Sequence, residues 1–372
     1  MTGIKRLAAA CLSALFFLFL FIGFTGCQHK EQEAVRECIA QELEPLKTSD
    51  TDEIVSYFEK AGLTSGLPEG KLPEDVAEVF LLFFQDFDYR IKEISFDEEQ
   101  TKAAALLDLQ IIDAKTLARD FASQTIVEGL TSQTLPSRVE YSLEDYYLLL
   151  RQLLLDKDYG TEKCEYTVSL TRSGDGWIMN RDEELENVLT GNFVAYGADP
   201  ELLSPEEVIT LYFDTIKSFD TEQINRFLSL DELFSADDEY KRTIAKSLAG
   251  QILQYLDYAI IDAQNDGLTA QVTAEVTTCD WNSIIKAYQE DMAAYTATSQ
   301  ALADGMSVRL TKANQMLLDC IDANDSATSS TVTLTLENDG TNWKLKSDDV
   351  FVEAILGNIK EAVANTSTSP ET

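Results

Sequence analysis

Residues 167–193 read TVSLTRSGDGWIMNRDEELENVLTGNF, and residues 331–359 read TVTLTLENDGTNWKLKSDDVFVEAILGNI. In each, a Thr- and Val-rich strand runs into an acidic glycine turn, a tryptophan opens a short second strand, and a helix ends on Gly-Asn. Trp177 and Trp343 are 166 residues apart, as are Gly191 and Gly357, and Asn192 and Asn358. Upstream, RQLLLD at 151–156 faces NQMLLD at 314–319, Asp113 faces Asp280, and Asp88-Tyr89 faces Asp257-Tyr258. KTSDTDEIVSYF at 47–58 lies over KSFDTEQINRFL at 217–228. The same elements in the same order mark a tandem duplication. The glycines at 174–176 and 340 belong to hairpin turns. A phosphate loop needs a helix N-terminus directly after the glycines, and here a strand follows.

The second copy shows the element order most clearly. Val208, Ile209, Leu211, Tyr212 and Ile216 give a helical face behind Pro205, and Tyr240, Ile244, Leu248, Ile252 and Leu256 step by four along a second helix. The period then becomes two. Leu268, Ala270, Val272, Ala274 and Val276 alternate with Thr269, Gln271, Thr273, Glu275 and Thr277, which predicts a strand with one buried and one wet face. Asn265-Asp266-Gly267 supplies the preceding turn. Asp280 caps a helical pair that runs to Cys320, then a second hairpin turns at Asn338-Asp339-Gly340 and a short helix covers 350–355. The predicted fold class is α+β: two tandem homologous domains, each a curved four-stranded antiparallel sheet packed with helices, with a helical insertion between its hairpins.

The amino terminus predicts the compartment. Lys5 and Arg6 precede an apolar run, Leu7–Phe24, and Phe24-Thr25-Gly26-Cys27 gives way at once to polar residues. This segment resembles the bacterial lipoprotein signal, in which the cysteine thiol takes a diacylglycerol and becomes the new amino terminus. The resemblance implies cleavage after Gly26 and lipid attachment at Cys27. An uncut transmembrane anchor is the competing expectation, and either places the body outside the membrane. The expected organisation is a signal at 1–26, a lipidated tether at 27–33, repeats at 34–195 and 205–362, a linker at 196–204, and a disordered tail at 363–372.

The chain has 372 residues and a net charge of −36, and the signal removes only basic charge. Such a surface repels nucleic acid and anionic headgroups, so nucleic acid is excluded as a partner and the anchor must hold the protein at the membrane. Of the six cysteines, Cys38, Cys164, Cys279 and Cys320 remain once Cys11 leaves with the signal and Cys27 takes lipid. An oxidising compartment predicts Cys38–Cys164 and Cys279–Cys320, one bridge per repeat, against the alternative of four buried thiols.

The whole pattern resembles the cystatin-like and nuclear-transport-factor-2-like group, and in particular the tandem domains on lipoproteins of Gram-positive bacteria. That resemblance implies helices packed into a curved antiparallel sheet, with or without a cone-shaped pocket.

The chemistry is bounded by what is missing. His29 is the only histidine, and it falls in the expected tether, so neither repeat can hold a Ser-His or Cys-His pair or a histidine zinc site. Asp322–Ser326 starts like a calcium loop but has Ala327 where the turn wants glycine and Thr333 where a glutamate should close the cage. Glu98-Glu99, Asp182-Glu183-Glu184 and Asp348-Asp349 read as solvated turns and first helical turns rather than acid–base pairs. Trp177 and Trp343 are candidate ligand contacts, with core packing the stronger expectation. Tyr141, Tyr146 and Tyr147 in the first insertion have no aligned aromatic partners in the second, which points to the insertions for any specialised contact. No catalytic residue, metal or cofactor is expected. The expected function is a membrane-anchored lipoprotein on the outer face of the bacterial membrane, a non-catalytic module binding an envelope protein or a small apolar ligand. The alternatives are an enzyme using carboxylate or tyrosine chemistry in a small pocket, and a solute-binding receptor.

Overall fold

Alternation of apolar and polar residues decides where the sheets form. In the computed structural model, which describes residues 29–48, 50–61, 73–136, 141–233, 239–359 and 361–362, two four-stranded antiparallel sheets are present. The first contains β1 (Asp88–Phe96), β2 (Lys102–Ile112), β3 (Thr161–Ser173) and β4 (Gly176–Met179), in that order. The second contains β5 (Asp257–Asn265), β6 (Thr269–Cys279), β7 (Ala327–Asn338) and β8 (Trp343–Leu345), again in chain order. The signal segment 1–26, Cys27 and the tail 363–372 lie outside the described residues. Among the described residues, no helix is long and apolar enough to cross a membrane.

In the first unit, α1 (29–43), α2 (Thr51–Ala61) and α3 (Glu74–Phe84) precede the sheet and cover its inner face. Their Val35, Ile39, Leu43, Ile54 and Phe58 meet Ala105, Leu107, Leu109, Val168 and Leu170. Each large apolar side chain buried this way contributes about 1.5–3 kcal/mol. The insertion comprises α4 (Ala114–Ser132) and α5 (Leu143–Asp156), and α6 (Glu183–Leu189) and α7 (Phe193–Gly197) follow β4.

The second unit repeats the plan. It has α8 (Pro205–Ser218), α9 (Thr221–Phe227), α10 (Leu230–Leu233) and α11 (Glu239–Tyr255) before the sheet. Its insertion is α12 (Trp281–Thr296), α13 (Ser299–Ala303) and α14 (Met306–Asp322), one helix more than the expected pair, and α15 (Asp348–Leu356) closes it. Ser204 and Glu207 form a capping box at α8, as do Ser142 and Asp145 at α5.

The duplication extends to irregularities. A break in register falls between Ile91 and Glu93 in β1 and between Ile260 and Asp262 in β5, at corresponding positions. The Asp113 amide donates to Gly160 O at 3.3 Å, and the Asp280 amide to Ser326 O at 3.1 Å. Lys47 pairs with Asp88 at 3.0 Å and Lys217 with Asp257 at 2.8 Å. Beside them Tyr89 donates to Glu44 at 3.0 Å and Tyr258 to Asp214 at 2.7 Å.

Several expectations need correction. Residues 29–33 are not tether but the first turns of α1, because the Glu31 carboxylate accepts from Trp177 Nε1 and from Arg172, each at 3.1 Å. The expected linker 196–204 buries Leu202 and Leu203. Residues 119–140, expected inside the first repeat, cluster with the second unit. From Arg119 onward the insertion engages that unit: Arg119 donates to Glu207 and Leu202 O, and Leu130 joins the second core. An apolar stripe read along a helix does not say which core it faces. Leu268 does not begin the buried alternation; it is 75% exposed, because the chain is still turning on Asp266, which accepts from the Leu268 amide.

All four described cysteines are free thiols, which overturns both expected bridges. Cys38 Sγ lies 3.2 Å from Trp177 O, and Trp177 pairs with Arg172, eight positions along β3 from Cys164. At roughly 3.3 Å per residue that is about 26 Å of strand, far beyond the Cα separation of about 7 Å that a disulfide tolerates. Cys320 Sγ instead lies 3.6 Å from an Asp291 carboxylate oxygen, while Cys279 closes β6 in the core. Burial pushes both of these thiols up to about 11.

The helix-ending glycines carry the tightest packing. Gly357 has φ of 64° and ψ of −137°, and a Cβ there would lie 2.4 Å from Thr278 Cγ2. Gly191 has φ of 59°, and its Cβ would lie 2.8 Å from Ala114 Cβ. Gly357→Ala is therefore expected to lower unfolding free energy in urea by about 2–3 kcal/mol, combining backbone strain with the clash. Gly129→Ala, in α4 with open space at the Cβ, should instead stabilise by about 0.5–1 kcal/mol. Equal effects at the two positions would contradict this reading.

Candidate functional site

The two units differ in side-chain chemistry where β4 and β8 lead into the closing helices. In the first unit Arg181, just past β4, points between α1, α2 and α6. Its Nε donates to Glu186 Oε1 at 2.7 Å, and Nη1 lies 3.7 Å from Glu42 Oε2. The guanidinium stacks 4.2 Å over the Tyr57 ring. Side-chain exposure falls to 21% for Arg181 and 14% for Glu186, so the pair is largely withdrawn from water. Tyr57 is 5% exposed, and among the described residues its hydroxyl makes no hydrogen bond that meets distance and angle limits. Burial, reinforced by Glu186, pushes the Tyr57 phenol well above its usual range and keeps it protonated. Asp182 caps α6 by accepting from the Leu185 amide at 2.9 Å.

The corresponding residues of the second unit are apolar or small. Phe227 stands at the position of Tyr57, Ser347 at that of Arg181 and Val352 at that of Glu186. Phe351 fills the space, with ring centroids 4.8 Å from Phe213, 5.6 Å from Tyr212 and 6.5 Å from Phe227. One repeat therefore closes on a half-buried ion pair and the other on an aromatic cluster. Perturbed titratable groups in an interior mark functional sites in many proteins, but neither Tyr57 nor Arg181 lines either of the two recesses described below. The cluster fixes charge in place, and its evident work is to join α1, α2 and α6.

The cavities of the first unit lie elsewhere. A void of about 10 Å³ beside Phe83, Leu154 and Tyr159 has room for one water. A shallow recess of about 240 Å³ on the sheet is lined by Asp88, Arg90, Asp108, Gln110 and Lys163, among others. Its charges are mostly committed: Arg90 meets Asp108 at 3.1 Å, and Lys92 bridges Asp108 and Glu165. The recess borders Tyr89, whose phenol is pushed up to about 12 by burial and by Glu44. The matching Tyr258 is likewise pushed up to about 12, by burial and by Asp214.

The residues singled out from sequence are scattered. Trp177 is 8% exposed and Trp343 1%, and both belong to the cores rather than to a cavity wall. Cys27 lies outside the described residues. His29 is exposed at the start of α1. In the 322–326 loop, Asp322 accepts from Ser247, and Asn324 donates to Gln251 and to Ser326 O. Tyr147 packs on Phe80 with centroids 5.9 Å apart.

Two features escaped sequence reading. The Arg181–Glu186–Tyr57 cluster was legible only by comparing the repeats position by position, where Arg faces Ser and Glu faces Val. The other is an apolar corner of the second insertion, where Leu302 is 81%, Met306 82% and Leu310 62% exposed. Met306 and Leu310 continue the stripe that Leu317, Cys320 and Ile321 carry into the core. Asp304 holds this corner, accepting from Tyr295 at 2.7 Å and from Gln300 and Lys312 at 2.8 Å. These contacts, the Lys312 ammonium first, pull its carboxyl down to about 2.

No protein-family model matches the chain, and no curated protein matches it. Among solved structures, the crystal structure of a "putative lipoprotein (ycdA)" from Bacillus subtilis subsp. subtilis str. 168 is similar, at 14% identity and a TM-score of 0.25. That similarity covers 73% of this chain and 95% of the other.

The ion pair yields a test by repeat swapping. Arg181→Ser leaves Glu186 buried without its partner and is expected to cost about 2–4 kcal/mol in urea unfolding, somewhat below the loss for a fully buried pair because both groups retain some exposure. Arg181→Ser with Glu186→Val, the residues of the second repeat, should recover most of that loss. A double variant no more stable than the single one would refute the account.

Proposed function

We propose that this protein is a lipid-anchored module of the bacterial envelope that binds another envelope protein and carries out no reaction of its own. The observation that carries the reading is the apolar corner at Leu302, Met306 and Leu310, exposed on the second insertion. Monomeric surfaces seldom leave such residues together without a partner. The anchor rests on Phe24-Thr25-Gly26-Cys27 behind an apolar run, which resembles a lipoprotein signal. Acyl chains suit a chain of net charge −36, which an anionic membrane would otherwise repel. Each repeat belongs, on this reading, with the cystatin-like and nuclear-transport-factor-2-like group. The absence of reaction chemistry rests on the single histidine at position 29, on cysteines whose thiols burial raises, and on Asp182 being spent on the start of α6.

A photo-crosslinking side chain at Met306 tests both parts in cells. The wild-type background should fractionate with membranes, carry acyl groups on Cys27 and give a discrete adduct with another envelope protein. In the Cys27→Ala background the acyl groups and the adduct should both disappear. An unacylated mature amino terminus would refute the anchor, and the absence of any adduct from a correctly localised chain would refute the partner.

A further inference from the structure

The start of α1 restricts how the first unit can stand on a membrane. Glu31 accepts from Trp177 Nε1 and Arg172 at 3.1 Å, and two turns on Cys38 Sγ meets Trp177 O at 3.2 Å. The beginning of the helix is thus fastened to the β3–β4 hairpin. The β1–β2 hairpin lies at the same end, since the Arg172 amide donates to Thr101 O at 2.9 Å. Just past the other end of α1, Glu44 accepts from Tyr89 and Lys47 pairs with Asp88, at the start of β1. The helix therefore runs along the sheet, from the two hairpin turns toward the insertion.

Cys27 precedes Glu31 by four residues, which reach at most about 14 Å when fully extended. From the hairpin end, β3 climbs twelve positions from Ser173 to Thr161, roughly 40 Å of strand. The tether is shorter than the unit it holds by more than a factor of two.

We propose that the first unit stands on the headgroup layer by its two hairpin turns, around Glu98-Glu99 and Gly174-Asp175, with its insertion end directed away from the membrane. The surface facing the lipid is polar and carries exposed carboxylates, which anionic headgroups repel, so the short tether and not attraction holds the turns beside the headgroup layer without insertion into the acyl region. The opposite end, with Gly160 and the start of β3, is presented to the exterior. This orientation rests on the anchor at Cys27, and the test separates the two.

The chain has three tryptophans, Trp177, Trp281 and Trp343, at 8%, 2% and 1% exposure, so their signal is a common background. The full-length protein is reconstituted in vesicles whose outer leaflet contains a dansyl-labelled phosphatidylethanolamine. Energy transfer is compared between Asp175→Trp, at the hairpin turn, and Glu162→Trp, at the start of β3; both positions are exposed. Transfer added by Asp175→Trp should exceed that added by Glu162→Trp at least five-fold. Inserting twenty Gly/Ser residues between Gln28 and His29 should bring the ratio toward one. Equal or reversed transfer without the insertion overturns the orientation, as does a ratio that the insertion leaves unchanged. The mass of the amino-terminal peptide from the same vesicles reports on acylation. A chain that floats with the vesicles unacylated refutes the lipid anchor, while the transfer ratio still reads the orientation.

Discussion

Each unit turns on the corner where its second strand ends and its insertion begins. There the closing helix must stop, its backbone pressed against the strand it covers. In the second unit Thr278 donates to Ile355 O at 2.8 Å, Trp281 Nε1 to Leu356 O at 2.9 Å, and Asn358 accepts from the Trp281 amide at 2.9 Å. Asn358 also donates to Asp280 at 2.8 Å, so one aspartate caps α12 and holds the end of α15. Gly357 fits between them because it has no side chain and accepts positive φ. Gly191 and Asn192 make the matching turn against Ile112 and Ala114 in the first unit, both at positive φ. With that corner fixed, a helical insertion can leave the sheet after its second strand and return in register for the third.

Much of this was written in the sequence because the forces involved are local. Period-two alternation at 270–276 gave β6 its buried face, and Asn265-Asp266-Gly267 gave the turn before it. Gly-Asn at both helix ends was legible as a cap. Interactions between distant segments were not. Nothing in the spacing of Cys38 and Cys164 reveals that they lie far apart along one strand, nor does the sequence around Glu31 show that a presumed tether is docked on Trp177. The stripe on α4 was readable as apolar, but its choice of core depended on Arg119 meeting Glu207 across many intervening residues.

The copies keep the corner and diverge beside it. A buried pair such as Arg181–Glu186 pays desolvation that an aromatic cluster avoids, and replacing such pairs with packed apolar groups is often neutral or better. In the first unit that pair ties α6 to α1, Arg181 reaching Glu186 and Glu42. The second unit closes on Phe351 and exposes an apolar corner on its three-helix insertion.

Amide hydrogen exchange on the intact protein tests the corner most directly, because it reads whether the closing helices belong to their sheets. The account predicts that α6 and α15 open with the same free energy as the central strands of their own units, β2 and β3, or β6 and β7. Closing helices that exchange at the rate of freely fraying ends, while those strands stay protected, would contradict it.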